Sequence, residues 1–221
     1  MMKTIAFVPI KLNNERTPGK NTKCFDDGTP LMYFVQINLL KCKNNGVIDD
    51  VFVYCSNPDI KKYLLDGVEF LQRPEYLDQK ETKGTQIYQE FIKTVEADIY
   101  VLAHATSPFV SAEHINDCII NVQSGKFDSA FCAKKIQNFL WVDNKPMNFE
   151  LSNPLRTQDM NPIYMELSTP YVFTREGFLK YNSRSGIRPY ICECSEIEAI
   201  DIDYPEDFEL ANTVYMNILK K

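Results

Sequence analysis

Histidine is nearly missing from this chain: His104 and His114 are the only two in 221 residues, too few for most metal or triad schemes. His114 falls inside a predicted helix, where a surface position is expected. No G-x-G-x-x-G follows the first apolar run and no G-x-x-x-x-G-K-[ST] occurs, which excludes an ordinary dinucleotide-binding dehydrogenase or P-loop enzyme. The G-x-S-x-G elbow is absent too, leaving that class of hydrolase without support. No apolar run approaches the ~18 residues of a membrane span, and Met1-Met2-Lys3 enters strand-like sequence without a signal-peptide core, so a cytoplasmic protein without membrane contact is expected. Of seven cysteines only Cys192-x-Cys194 lie close together; without C-x-x-C pairs they suit neither a zinc site nor a disulfide framework and are expected to be reduced core residues. The formal net charge is -6, and no basic face can be drawn beyond the N-terminal stretch, which argues against nucleic acid.

What is present is enough apolar sequence, 44% of residues, for one sizeable core, and residues 1–221 are read as a single domain. Short apolar runs alternate with helical patterns, the rhythm of a mostly parallel α/β sheet with crossover helices. Strands are expected at Thr4 to Val8, Val51 to Cys55, Val68 to Leu71, Ile99 to Ala103, Ser129 to Ala133, Tyr171 to Phe173 and Tyr190 to Cys194. Helices are expected at Pro30 to Lys41, Asp59 to Leu65, Thr85 to Glu96, Ala112 to Gln123 and Pro205 to Leu219. Residues from about Lys135 to Pro170, with Asn153-Pro154, Asn161-Pro162 and Thr169-Pro170, fit the alternation poorly and read as an excursion from the sheet.

The chain is organised around its first loop. Residues 1–25 hold Lys3, Lys11, Arg16, Lys20 and Lys23 against the single acid Glu15, local positive charge on an acidic protein and so a place suited to an anion. Asn13, Asn14 and Pro18-Gly19 supply turn chemistry, and a loop leaving a parallel strand aims backbone N–H groups at phosphate; a solvated surface loop has the same composition.

Four further patches complete the reading. Pro9-x-Lys11-Leu12-x-Asn14-x-Arg16-x-Pro18-Gly19-Lys20-Asn21 resembles the P-A-R-x-x-S-x-R-x-P-G-K-N signature of the cytidylyltransferases that activate sugar acids, the CMP-sialic acid and CMP-Kdo synthetases, with Lys11 for the usual Arg and Asn14 for the usual Ser. His104-Ala105-Thr106-Ser107-Pro108 resembles the Q-P-T-S-P of the sialic acid branch; Ser107 either touches ligand or caps the next helix. Arg73-Pro74 resembles the R-P-x-x-L-A element, whose Arg contributes to nucleotide binding, although an Arg before a turn-forming proline is also an ordinary surface residue. Arg156-Thr157-Gln158-Asp159 resembles R-R-Q-D, while Ser168-Thr169-Pro170 stands where the family has N-G-A. Ala199-Ile200-Asp201-Ile202-Asp203-Tyr204-Pro205-Glu206-Asp207 resembles S-I-D-I-D-T-P-E-D.

The resemblance spans nearly the whole chain and implies a Rossmann-like sheet of the nucleotide-diphospho-sugar transferase type with helices on both faces. It implies transfer of CMP from CTP to a small anionic acceptor, a sialic-acid-like nonulosonic or ulosonic acid, with release of pyrophosphate for cell-surface glycan biosynthesis. Lys11, Asn14, Arg16, Lys20, Asn21, Arg73, Thr106 and Ser107 are then expected at the nucleotide, with Lys20, Arg16 and Asp203 catalytic. His104, Arg156 and Gln158 are expected on the acceptor side. In an extended Ile200–Asp203, Asp201 and Asp203 share one face and suit Mg²⁺, or Mn²⁺; Asp203 has a second reading as the cap of the following helix. Glu206 and Asp207 are expected to favour that helix's dipole. The altered Lys11 and Ser168-Thr169-Pro170 keep open a phosphorylated or phosphonylated acceptor and a CDP-type product. A non-catalytic nucleotide-binding regulator is the reading of another class; loss of the loop bases or the acidic pair would favour it, and neither is lost. The apolar residues of the excursion, Phe139, Leu140, Trp141 and Phe149, point to a homodimer.

Overall fold

The computed structural model describes residues 2–12 and 19–220. Strands β1 (Thr4–Ile10), β2 (Asp50–Cys55), β3 (Val68–Gln72), β4 (Ile99–Leu102), β5 (Ser129–Ile136), β8 (Ile163–Thr174) and β9 (Pro189–Cys194) form one sheet in the order β3-β2-β1-β4-β8-β5-β9, and Trp141–Val142 (β6) pairs with Lys145–Pro146 (β7) in a separate small hairpin. All pairings in the large sheet are parallel except those of β8, which runs antiparallel to β4 and to β5. Helices α1 (Leu31–Asn44), α2 (Gly84–Thr94), α3 (Ala112–Gln123), α4 (Arg175–Tyr181) and α5 (Pro205–Val214) complete the order, α5 running on into one π turn at Tyr215–Leu219.

Alternation along β1 explains the two-sided burial. Ala6, Val8 and Ile10 join the cluster that includes Met32 and Val35 of α1 and Ile115 and Ile119 of α3. Ile5 and Phe7 join Phe91 of α2 and Phe178 of α4 on the other face, with the Phe7 and Phe91 rings stacked 4.1 Å apart. A sheet covered on both faces reads in sequence as continuous apolar runs, which is why β1, β2 and β4 stand out there. A third cluster, Phe25, Leu31, Phe109, Ile202, Phe208 and Ala211, seats α5 and the extended segment before it.

The structure differs from the sequence reading in several places. The supposed excursion contributes to the sheet at both ends: Lys135 and Ile136 finish β5, and Ile163 opposes Ile136 at the start of β8. Residues 137–162 are what leaves it. Met165 and Tyr164 on this half of β8 are exposed, so no apolar run marked it. Between Phe131↔Tyr171 and Ala133↔Glu166 the register shifts, which leaves Leu167, Ser168, Thr169 and Pro170 opposite Cys132 alone. Pro170, without an N–H to give a ladder, is accommodated in that bulge. Residues 59–65 form a short 3₁₀ segment, Pro58–Tyr63, rather than an α-helix, and α4, seven residues long, is too short to announce itself by periodicity. His114 is not a plain surface residue: its Nδ1 lies 2.7 Å from Glu198 Oε1, with the carboxylate largely buried. All seven cysteines are free, and all but Cys24 are buried. Among the described residues no helix is long and apolar enough to cross a membrane.

Candidate functional site

A cleft of about 360 Å³ opens beyond the carboxyl ends of β1, β3 and β4, lined by Lys11, Arg73, Thr82, Tyr88 and His104 among others; such ends are where open α/β sheets hold ligands. A larger groove of about 650 Å³ between α1 and α3 touches none of the predicted site residues.

The basic wall comes from the loop after β1. Asn14 and Arg16 lie outside the described residues. Lys11 Nζ donates to the Asp78 carbonyl, and Asn21 Nδ2 donates to the Lys11 carbonyl at 3.1 Å, holding the loop's two ends together. Gly19 has φ +69°, a left-handed turn that a side chain would strain, and it starts the single 3₁₀ turn Lys20–Thr22. That turn drives Lys20 inward. Its ammonium donates to the Ile202 carbonyl at 2.7 Å and lies 3.2 Å from Asp203 Oδ1. Arg73, only 2% exposed, pairs through Nη2 with Asp78, and its Nε is buried with no hydrogen-bond partner among the described residues.

The acidic segment is threaded beside Thr106-Ser107. Ile202, fully buried, donates its N–H to the Thr106 carbonyl at 2.8 Å. Asp201 accepts from Ser107 Oγ at 3.3 Å through one oxygen and from Ser168 Oγ at 3.0 Å through the other. Ser107 is therefore not a helix cap; Ser111 caps α3 by accepting from the His114 N–H at 3.3 Å. Nor does Asp203 cap α5. Asp207, in that helix's first turn, accepts the N–H groups of Asp203 and Tyr204 at 2.9 and 2.8 Å, which leaves the Asp203 carboxylate to face Lys20.

A second wall is formed by His104, which lines the cleft and is held from behind by the β8 bulge. His104 donates its backbone N–H to Thr169 Oγ1 at 2.7 Å, and the Thr169 hydroxyl returns a bond to the His104 carbonyl at 3.0 Å. The ring's Nδ1 sits 2.5 Å from the Ser168 carbonyl. Burial pushes the imidazole pKa below its ordinary value, overriding the Ser168 carbonyl, which favours the cation. A neutral ring facing a carbonyl carries its proton on Nδ1, so Nε2 is left an acceptor. Sequence reasoning missed the residues behind this wall. Arg184 lies 3.7 Å over the Tyr171 ring and donates to the hydroxyls of Tyr171 (2.9 Å) and Tyr88 (3.2 Å), while Tyr171 donates to Glu166 at 3.0 Å. No motif marks them, because they come from α2, β8 and the segment after α4 and meet only in the fold. Arg156 and Gln158 are not brought to the cleft: both are exposed in a turn of the excursion, and Arg156 pairs with its neighbour Asp159 at 2.6 Å.

Asp201 and Asp203, two hard oxygen donors flanking one buried residue, fit a divalent cation of the Mg²⁺ type. The two serine hydroxyls that orient Asp201 are the kind of outer support such ligands need.

A family model described as Cytidylyltransferase matches residues 5–220. The N-acylneuraminate cytidylyltransferase of Streptococcus agalactiae serotype III (strain NEM316) is 21% identical over 218 residues, covering 94% of this chain and 52% of that one. The N-acylneuraminate cytidylyltransferase of Oncorhynchus mykiss is 25% identical over 213 residues, covering 90% and 48%. The chain thus spans about half the length of the curated relatives it matches. Among solved structures, a CMP:2-keto-3-deoxy-manno-octonic acid synthetase complexed with CTP is similar with a TM-score of 0.72 at 16% identity, over 97% of this chain and 98% of that one. A 2-C-methyl-D-erythritol 4-phosphate cytidylyltransferase from Francisella tularensis gives 0.64 at 17% identity, over 96% and 99%. At these identities the likeness shows a common fold.

Proposed function

The chain belongs to the cytidylyltransferase family, and on that premise we propose that it transfers CMP from CTP to an acidic acceptor of the sialic-acid-like nonulosonic or ulosonic class, releasing pyrophosphate. The observation that carries this reading is the meeting of Lys20 with Ile202 and Asp203. It holds a buried ammonium against the acidic segment that carries both carboxylates, an arrangement of charge that supports binding of a triphosphate with its metal. An acceptor oxygen attacks the α-phosphorus, the bond from that phosphorus to the bridging oxygen breaks, and pyrophosphate leaves with the electron pair. Lys20, Lys11 and Arg16 bind the triphosphate and Arg73 orients the nucleotide, so charge that builds on phosphate oxygens meets preplaced cations. Asp201 and Asp203 would hold Mg²⁺ or Mn²⁺, which when bound neutralises phosphate charge and polarises the reacting phosphorus. His104 Nε2 accepts from an acceptor hydroxyl, and Ser168 and Thr169 fix the ring that offers it.

A second reading shares the nucleotide half and changes the acceptor. The similarity to a cytidylyltransferase whose substrate is a sugar-alcohol phosphate supports a phosphorylated small molecule and a CDP-type product. Pyrophosphate release with CTP, ATP, UTP and GTP against a panel of sugar acids and sugar phosphates separates the two. CTP-dependent release with an ulosonic acid is expected; release only with a phosphorylated acceptor moves the chain to the second reading, and none with any pair overturns both.

The excursion supports a homodimer. Phe139, Trp141, Met147, Leu151 and Leu155 are exposed on it, and burial of such a patch against a twin removes it from water. Light scattering is expected to give twice the chain mass of 25.6 kDa; the monomer mass at micromolar concentration overturns the dimer.

A further inference from the structure

Four of the seven cysteines converge where neither the cleft nor the excursion has a use for them. Cys118 comes from α3, Cys132 from β5, and Cys192 and Cys194 from β9. Each arrives by a periodicity. Cys192 and Cys194, two apart on a strand, point to one face of the sheet, and His114 and Cys118, four apart on a helix, share the face of α3 that covers it. Cys132 lies opposite Cys192 in the parallel pairing of β5 with β9. All four thiols are buried. The sulfurs of Cys118, Cys132 and Cys192 lie within 4.8 Å of one another, as do Cys192, Cys194 and the His114 ring nitrogen, so Cys192 belongs to both groups. Cys118 and Cys132 are 3.9 Å apart.

We propose that Cys118, Cys132, Cys192 and Cys194 bind one soft divalent cation of the zinc class, a structural site separate from the Mg²⁺-type carboxylates of the cleft. A Zn–S bond of ~2.3 Å places the corners of a tetrahedron roughly 3.8 Å apart, close to the spacing between Cys118 and Cys132. Soft thiolate selects such ions over the hard cations that nucleotide chemistry uses. Thiolate is the binding form, and Cys192, which belongs to both groups, stands where the two meet. His114 serves as outer support rather than ligand, since its Nδ1 is engaged by Glu198 at 2.7 Å while lying 3.4 Å from Cys194 Sγ. The buried Cys42 shows the contrast, with its thiol donating to the Ala112 carbonyl at 3.4 Å and no place in the cluster.

The site's effect follows from where it sits. Strand β9 is the edge of the sheet, and from its last residue the chain runs through Ser195 and Glu198 to Asp201. An ion joining β9 to β5 and α3 clamps the start of that run, and because it binds the folded chain it raises stability by mass action.

The test uses the full chain, reduced, stripped of metal and titrated anaerobically with Co²⁺ as the probe. One Co²⁺ per chain with thiolate-to-cobalt charge-transfer bands and the d–d pattern of a tetrahedral ion is expected, with Zn²⁺ abolishing the bands and raising Tm above that in EDTA. Cys132→Ala and Cys192→Ala are expected to lose the bands; Cys42→Ala and Asp201→Asn are expected to keep them. Should a cluster variant not fold, the wild-type spectrum decides alone. Folded wild-type protein with no thiolate–cobalt bands at excess Co²⁺ overturns the site, as do full bands in folded Cys192→Ala.

Discussion

The two walls of the cleft are held by different forces. On the side built by β1 and β3, cations rest on oxygens: Lys11 on the Asp78 carbonyl, Arg73 on the Asp78 carboxylate, Lys20 on Ile202 and Asp203. On the side built by β8, hydroxyls, carbonyls and a neutral imidazole satisfy one another around His104, Ser168 and Thr169. On the proposed function the first wall offers preplaced charge to a triphosphate, a kind of contact that discriminates little. The second offers directional bonds that leave a buried group unpaired when the partner is wrong, and on the same proposal it is where acceptors would be told apart.

Four perturbations break or sharpen this contrast. The largest effect belongs to the acidic pair. Asp203→Asn and Asp201→Asn are each expected to cut turnover roughly 100-fold or more, since a metal contributes several kcal/mol to such a step. Tm should scarcely move for Asp203→Asn, because Asp207 supplies the helix cap. Turnover near the parent level at saturating CTP and Mg²⁺ would detach the metal from these carboxylates. Next, Lys20→Ala should weaken CTP by about one to two orders of magnitude, the ~1.5–3 kcal/mol of a charge-assisted contact, with acceptor affinity little altered; unchanged CTP binding by calorimetry in a folded variant sinks the loop assignment. Ser168→Ala tests the other wall. It removes the bond to Asp201 at a net worth of about 1 kcal/mol, so a several-fold loss in kcat with CTP affinity intact is expected, and a variant that lost only CTP affinity would erase the division between walls.

The smallest effect is in pH. The His104 pKa lies below its model-peptide value of 6.5, so just below that pH the unfolded chain holds the extra proton and stability falls as pH falls. The pKa of His114 is raised above 6.5, so it acts in the opposite sense: its contribution is complete below 6.5 and is lost as pH rises through the folded value. Between about pH 5 and 8, His104→Gln should therefore show a smaller acid-side loss of Tm than the parent, and His114→Gln a smaller loss on the alkaline side. Identical Tm profiles for parent and variants would show that neither ring titrates differently on folding.

Legibility divides along the same line as the walls. Lys20-Asn21 at the described end of the first loop and the Ile200–Asp207 segment are short local sequences, and a pattern of residues singles both out; the structure then places Lys20 beside Ile202 and Asp203. Strands β1, β2 and β4 announce themselves through unbroken apolar runs. The β8 wall does not, because its content is a register. Thr169-Pro170 reads as a break in the chain, whereas in the sheet it is a bulge that turns Ser168 and Thr169 toward His104 and Asp201. His104 and Ser168-Thr169, which look like independent departures from a familiar pattern, are bonded to each other. Arg184 and Tyr88 are joined across 96 residues, a separation that local periodicity does not encode. The cysteine cluster is hidden for a related reason: spacing in sequence shows only the pair on β9, and the other two thiols arrive through α3 and β5.

The bond from Lys20 to Ile202 joins residues 182 positions apart. Contacts of such separation carry the full loop-closure cost and are among the last to be rewarded during folding. On the ribosome, a chain that has emerged only as far as β5 has already exposed its basic loop yet lacks the carbonyl and carboxylate that hold Lys20 in place. On the proposed function, the Lys20 side of the nucleotide site is therefore completed only once Ile202 and Asp203 have been made, and not along the way.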